Sequence, residues 1–155
     1  MADTTKTGLL SELVLEVFRL NGRLIAAGDG LVAGIGLTSA RWQVIGAIAL
    51  QAEPAPVAHV AQAMGLARQS VQRIADELEK AGLVAFRPNP RHKRAHLVVL
   101  TAKGIALSEA AMDRQRPWAK ALAAGFDRAE LEAALDLFVR LRARLEDIAQ
   151  KESDK

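Results

Sequence analysis

The run Arg68-Gln69-Ser70-Val71-Gln72-Arg73 has residue types and spacing that match a definite chemistry. An arginine can donate two parallel hydrogen bonds to the edge of a guanine, and a glutamine can pair both ways with an adenine. A serine hydroxyl can donate to a phosphate. Val71, Ile74, Ala75 and Leu78 recur at helical intervals. A helix that buries them leaves Arg68, Gln69, Gln72 and Arg73 outside. Any amphipathic surface helix also shows polar residues outside, so this alone decides little. The absence of acid from Ala67 to Ala75 shifts the balance, because Asp76, Glu77 and Glu79 come only further along.

A second basic cluster follows in FRPNPRHKRAHLVVLT, from Phe86 to Thr101. It holds Arg87, Arg91, Lys93 and Arg94 together with His92 and His96, and no acid. Basic residues on a strand edge can simply discourage edge-to-edge aggregation. That accounts for one or two cations, but less well for Arg91, Lys93 and Arg94 gathered at one tip. Following the helix above, the cluster points to nucleic acid, whose phosphates are the missing counter-charges. Residues 55–100 hold seven basic and three acidic residues, whereas residues 127–155 hold six and eight. The positive field is therefore local, on a chain whose net charge is only +3.

Other chemistries are poorly served. The chain has no cysteine, which excludes disulfides, thiolate zinc sites and thiol redox switching. His59, His92 and His96 lack ligand partners at metal spacing, and no nucleophile elbow or H-E-x-x-H occurs. Gly28, Gly30, Gly34 and Gly36 do not have the dinucleotide-binding spacing and suit a flexible connector. No enzyme activity, metal or cofactor is expected. The apolar run Val44–Leu50 contains Gly46 and is too short for a membrane span. The polar start MADTTKTG lacks the order of a signal peptide. A cytoplasmic location and no membrane contact are expected.

The elements that must position the two clusters follow from apolar periodicity and punctuation. With 155 residues, half of them apolar and 4% aromatic, the core must rest on Leu, Ile, Val and Ala. Residues 1–7 read as disordered. Leu9, Leu10, Leu13, Val14, Val17, Phe18, Leu20 and Leu24 form one broad helix face, fading near Gly28-Asp29-Gly30. Thr38 suits the N-cap of a second helix with Trp42, Ile45 and Ala49 on one side, ended by Pro54 and Pro56. A short helix over Val57–Met64 stops at Gly65, and the Arg68 helix stops at Gly82 with Leu83 beyond it. Val84–Phe86 and His96–Leu100 read as two strands joined by the basic tip. Thr101 starts a helix that Pro117 should kink or break. Asp127 and Glu130 predict a capping box for the last helix, with Phe126 and Leu131 as a hydrophobic staple. Leu131, Leu135, Phe138, Leu141, Leu145 and Ile148 then repeat at three or four, the seam of a helix packed on a long partner.

A short helix bracing a second one, then a strand pair with a basic tip, is the order of a winged helix-turn-helix. The fold class expected is mainly α, with a two-stranded β-wing and flanking N- and C-terminal helices. From Leu37 to Thr101, LTSARWQVI and VAHVAQAMGLARQSVQRIADELEKAGLVAFRPNPRHKRAHLVVLT followed by TAKG resemble the MarR family of bacterial transcriptional regulators. The first and last helices match in place, so the resemblance covers almost the whole chain as a single domain. It implies a homodimer, with dimerisation helices at about 8–36 and 102–152 and a DNA-binding lobe at about 38–101. Leu13, Val17, Leu135, Phe138, Leu141 and Leu145 would lie in the dimer contact. A pseudo-palindromic double-stranded operator would meet Arg68, Gln69, Ser70, Gln72, Arg73, Arg91, Lys93 and Arg94. The resemblance also implies a repressor, released by a small aromatic or acidic effector in a cleft lined by Phe18, Arg41, Trp42 and Trp118.

Two positions depart from the family pattern. His92 stands where an acid usually holds the wing arginine, here Arg94, and Ala67 stands where a serine would cap the recognition helix better. A different class of function fits the same residues, a helical interaction module whose basic hairpin meets an acidic protein.

Overall fold

The computed structural model describes residues 5–153. In order these form α1 (Lys6–Val32), a 3-10 turn (Ala33–Ile35), α2 (Ser39–Ala49), β1 (Ala55–Pro56), α3 (Val57–Met64), α4 (Arg68–Lys80), β2 (Val84–Arg87), β3 (Leu97–Leu100), α5 (Ala102–Ala123) and α6 (Arg128–Ser153). Two units divide the chain, Met1–Gln115 and Arg116–Lys155, so α5 contributes to both.

Helix α1 begins earlier than the sequence suggests. Thr5 Oγ1 accepts from the Gly8 N–H at 3.1 Å and caps it, so Lys6 and Thr7, expected to be disordered, are helical. Residues 1–4 lie outside the described residues. The helix also runs past Gly28-Asp29-Gly30 to Val32 instead of fading there. The reason is packing against α2. Gly28 is buried where a Cβ would collide with the Ser39 hydroxyl. Ser39 Oγ donates to the Ile25 carbonyl at 2.7 Å, and its N–H donates to Asp29 Oδ1 at 2.6 Å. Gly28 thus serves close approach of two helices, and its helical conformation is sustained by tertiary contact despite its low propensity.

Thr38 caps α2, as expected, by accepting from the Arg41 N–H at 3.3 Å. The buried face of α2 is Val44, Ile45, Ala47 and Ile48, with Trp42 half-buried against the same core. Ala49, expected on the inner side, is exposed, and α2 ends there, before the prolines. The core joins this face to Val57, Val60 and Ala61 of α3, to Val71, Ile74, Ala75 and Leu78 of α4, and to Val84 and Val98 of the sheet. Full burial of a side chain such as Ile45 or Leu78 contributes about 1.5–3 kcal/mol.

Two glycines end the helix pair. Gly65 and Gly82 have φ of 65° and 73°. At the second, the Leu83 N–H reaches the Leu78 carbonyl and the Gly82 N–H reaches that of Glu79, at 2.9 and 2.8 Å. This is the paired closure that satisfies the last carbonyls of a helix. The hairpin of β2 and β3 pairs Val84 with Leu100 and Phe86 with Val98. A third strand, β1, adds to the far edge of β3 and gives the order β1-β3-β2. Its two residues, one of them Pro56, carry almost no sequence signal, and an edge is where a proline is tolerated.

Thr101 locks the end of α4 to the start of α5. Its hydroxyl donates to the Gly82 carbonyl at 2.7 Å and accepts from the Gly104 N–H at 3.1 Å. Its own N–H donates to the Leu83 carbonyl at 3.1 Å. Gly104 is buried so close to Leu83 that a Cβ would run into that carbonyl oxygen. Gly104→Ala is therefore expected to cost about 1–3 kcal/mol through backbone displacement. The check is a lower urea midpoint at unchanged m; an unaltered midpoint would mean that the contact yields freely.

In the second unit, Pro117 lies inside α5, which continues to Ala123 without the expected break. The capping box of α6 forms reciprocally. The Glu130 N–H donates to Asp127 Oδ1 at 2.8 Å, and the Asp127 N–H donates to Glu130 Oε2 at 2.9 Å. No residue of α6 is buried.

Candidate nucleic-acid interface

The first turn of α4 carries three of the expected contact residues in an open state. Arg68, Gln69 and Ser70 are exposed. None of their side chains has a hydrogen bond or ion pair among the described residues. Ala67, at the cap position, offers no side-chain acceptor. The first amides of α4 thus keep their donors for an outside acceptor, and a helix start of this kind favours an anion.

Gln72 and Arg73 are committed internally. Gln72 Nε2 donates to Asp76 Oδ1, and Arg73 Nη1 to Glu77 Oε1, both at 2.8 Å. Glu77 also accepts from Arg41 Nη2 at 3.2 Å, which ties α4 to α2. The structure thus brings five of the expected contact residues onto α4 but leaves only the first three unpaired.

Glu77 is held below the usual carboxylate range. The Arg41 hydrogen bond is the main cause, opposed by desolvation and aided by Arg73. A carboxyl depressed on folding stabilises fully above its unfolded pKa and loses that contribution as pH falls through the folded value. Wild type should therefore exceed Glu77→Gln in denaturant midpoint by a constant margin near neutrality. The margin should shrink only below the ordinary carboxylate range. A margin independent of pH down to strong acid would discount the bridge.

The wing supplies the other cations. Arg91, His92, Lys93 and Arg94 are all exposed, and none of their side chains is paired among the described residues. His92 holds no arginine; only its backbone takes part in the turn. A cleft of about 280 Å³ lies between α4 and the wing, lined by Arg68, Gln72, Asp76, Glu79, Phe86, Arg94 and His96 among others. Arg68 and Arg94, far apart in sequence, thus share one concavity. Two residues not among the expected contacts also matter here: His96, which lines this cleft, and Asn89, whose amide organises the tip. An Asn-Pro pair was the available signal for the second.

The four candidate effector residues do not show a common site. Arg41 is paired with Glu77, Trp42 packs on the core and Phe18 is 69% exposed on α1. Trp118 belongs to the other unit. A cavity of about 460 Å³ opens between the end of α2, β3 and the start of α5, and none of the four lines it. No group of three metal-ligating side chains occurs among the described residues. No single helix among them is long and apolar enough to cross a membrane.

A braced helix with an open basic start, beside a hairpin with a basic tip, defines a winged helix-turn-helix protein. The chain belongs to the MarR family, whose model matches residues 35–95. It is 36% identical to the uncharacterized protein Rv2011c of Mycobacterium tuberculosis over 132 residues, which is 85% of this chain and 91% of that protein. A crystal structure of a MarR family transcription regulator superposes with a TM-score of 0.76 at 26% identity, covering 94% of this chain and 95% of that one. CouR bound to a 23-mer DNA duplex, described as a transcriptional repressor, gives 0.74 at 25% identity over 90% of this chain and 99% of its own. CouR from Rhodococcus jostii RHA1 has also been solved with p-coumaroyl-CoA, with a TM-score of 0.73 at 25% identity, covering 84% and 91%.

Proposed function

We propose that the protein is a homodimeric, sequence-specific DNA-binding regulator that represses transcription from a pseudo-palindromic operator. One observation carries the reading: Arg68 at the open start of α4 and Arg94 at the wing line a single cleft, with the wing cations Arg91 and Lys93 unpaired among the described residues. Base edges would be met by Arg68 and Gln69. Ser70 would meet phosphate, and so would the wing residues Arg91, Lys93 and Arg94. Gln72 and Arg73 would join only after exchanging their acidic partners for DNA. Repression needs nothing further, because a dimer seated on a promoter excludes other proteins from the same duplex.

Dimerisation is supported by bare apolar residues on helices from both units. Leu9, Leu10, Leu15 and Phe18 of α1 are exposed, as are Leu131, Leu135, Phe138 and Leu145 of α6. Leu13, Val17 and Leu141 are half-buried beside them in sequence. Apolar surface of this kind marks an interface. We assign the dimer contact to both helices. The flanking helices at about 8–36 and 102–152 then dimerise, and residues 38–101 bind DNA.

Release by a small aromatic or acidic effector completes the proposal. Glu53 and Glu109 line the 460 Å³ cavity and disfavour an acidic molecule there. A cytoplasmic location follows from the function proposed.

A mobility-shift titration against DNA from upstream of the protein's own gene tests the reading, with a reporter fused to the same segment. Specific binding and a reporter that rises when the gene is deleted are expected. Retention by an acidic protein, without binding to any duplex, would transfer the function to the interaction-module class.

A further inference from the structure

We infer that Asn89 is a positioning residue for DNA binding, one that rigidifies the wing tip so that Arg91, Lys93 and Arg94 are presented from an ordered loop. The inference rests on the DNA-binding reading above. Asn89 is half-buried in a tip that is otherwise largely exposed. Its Oδ1 accepts from the Arg91 N–H at 2.9 Å, and its Nδ2 donates to the Ala95 carbonyl at 3.0 Å. Its backbone carbonyl accepts from the His92 N–H at 3.2 Å, and His92 in turn accepts from the Ala95 N–H at 3.1 Å. One side chain therefore closes the loop at both ends, with Arg91 at one anchor point and Lys93 and Arg94 between the two.

The local sequence prepares this closure. An asparagine that accepts from the amide two residues on forms a turn, and a proline between them supplies the φ that the turn needs. Pro90 occupies that position. A residue before proline is also biased toward extended backbone, which disfavours a helical alternative at Asn89. Pro88 restricts the chain on the other side. The cations themselves do nothing to order the loop, since none of their side chains is paired among the described residues. Asn89 carries no charge and need not touch DNA, so its effect is on the freedom that the tip loses when the cations engage.

The test uses the full chain with Asn89→Ala and Asn89→Ser. Amide relaxation of the free protein reads order at Arg91–Ala95, and titration with operator DNA at several salt concentrations reads affinity and slope. Asn89→Ala should loosen those amides and weaken binding roughly five- to thirty-fold, the cost of ordering about one residue on binding. The salt slope should stay unchanged because no cation is removed. Asn89→Ser, whose hydroxyl can still accept from the Arg91 N–H, should restore part of both. The melting temperature should fall by only a few degrees, about 2–4 °C per kcal/mol lost, so both variants stay folded at the temperature of the binding assay. A tip as ordered in Asn89→Ala as in wild type overturns the inference, and so does a loosened tip that binds with wild-type affinity. If wild type itself bound no duplex, the DNA-binding reading would fall and this inference with it. Wild-type binding with unaffected variants would refute the inference alone.

Discussion

Leu145→Glu is expected to give a folded monomer that has lost most of its operator affinity. Leu145 is 61% exposed in the single chain, on a helix with no buried residue. Helices of this length rarely stand with a bare apolar seam in water, because the seam exists to meet a partner. A carboxylate placed there would have to lose its water on association without a partner charge, which costs more than the surrounding leucines return. Once the halves separate, the two half-site contacts no longer act together. The expected loss of avidity is then on the order of 10²- to 10⁴-fold. Light scattering reads the mass, circular dichroism the fold, and mobility shift the affinity. A wild-type protein that is monomeric at micromolar concentration would refute the assignment, as would a Leu145→Glu dimer with intact DNA binding.

The second large effect is expected at the start of α4. Arg68→Ala and Gln69→Ala should each cost about 1–3 kcal/mol on the preferred operator and relax its sequence preference. The corresponding changes at Gln72 and Arg73 should cost less, because those side chains must first leave Asp76 and Glu77. Arg94→Ala should behave differently again. It removes a charge near the backbone, so binding to most sequences weakens and the salt slope flattens by about one. With no carboxylate holding Arg94 among the described residues, its loss should be smaller than that of an arginine fixed in place. Operator affinity against salt, for specific and scrambled duplexes, separates the two classes. If Arg68→Ala and Gln69→Ala leave both affinity and preference untouched in a folded protein, α4 is not the reading helix.

Local signals in the sequence were sufficient for much of this. Gly65 and Gly82 ended their helices because left-handed closure leaves few other choices. Thr38 capped α2, and Asp127 with Glu130 capped α6, because each cap is a short-range hydrogen bond. What escaped depended on distant neighbours. Gly28 read as a helix end because propensity carries no information about Ser39 packing against it. Ala49 was placed inward by period alone, whereas the core selected Val44 and Ile48. Strand β1 escaped because its pairing is specified by β3, not by its own residues. At the site, exposure of Arg68 and Gln69 was legible from the stripe they avoid. The pairing of Glu77 with Arg41 is not, because it joins residues from separate helices. Pro117 carries a local signal for a kink or a break, and the break does not occur, since α5 runs through it to Ala123.

The uneven charge along α4 also bears on how quickly a duplex is found. Arg68 and Arg73 lie in its first half, and Asp76, Glu77 and Glu79 outnumber Lys80 in its second. The backbone of a helix is itself positive at the start and negative at the end. Side chains and backbone thus form two dipoles of the same sense. In the field of a phosphate backbone such an element feels a torque as well as an attraction, and the molecule turns its open end forward before any contact forms. The advantage falls on the rate of productive encounter rather than on the strength of the final complex, and it fades as salt screens the approach.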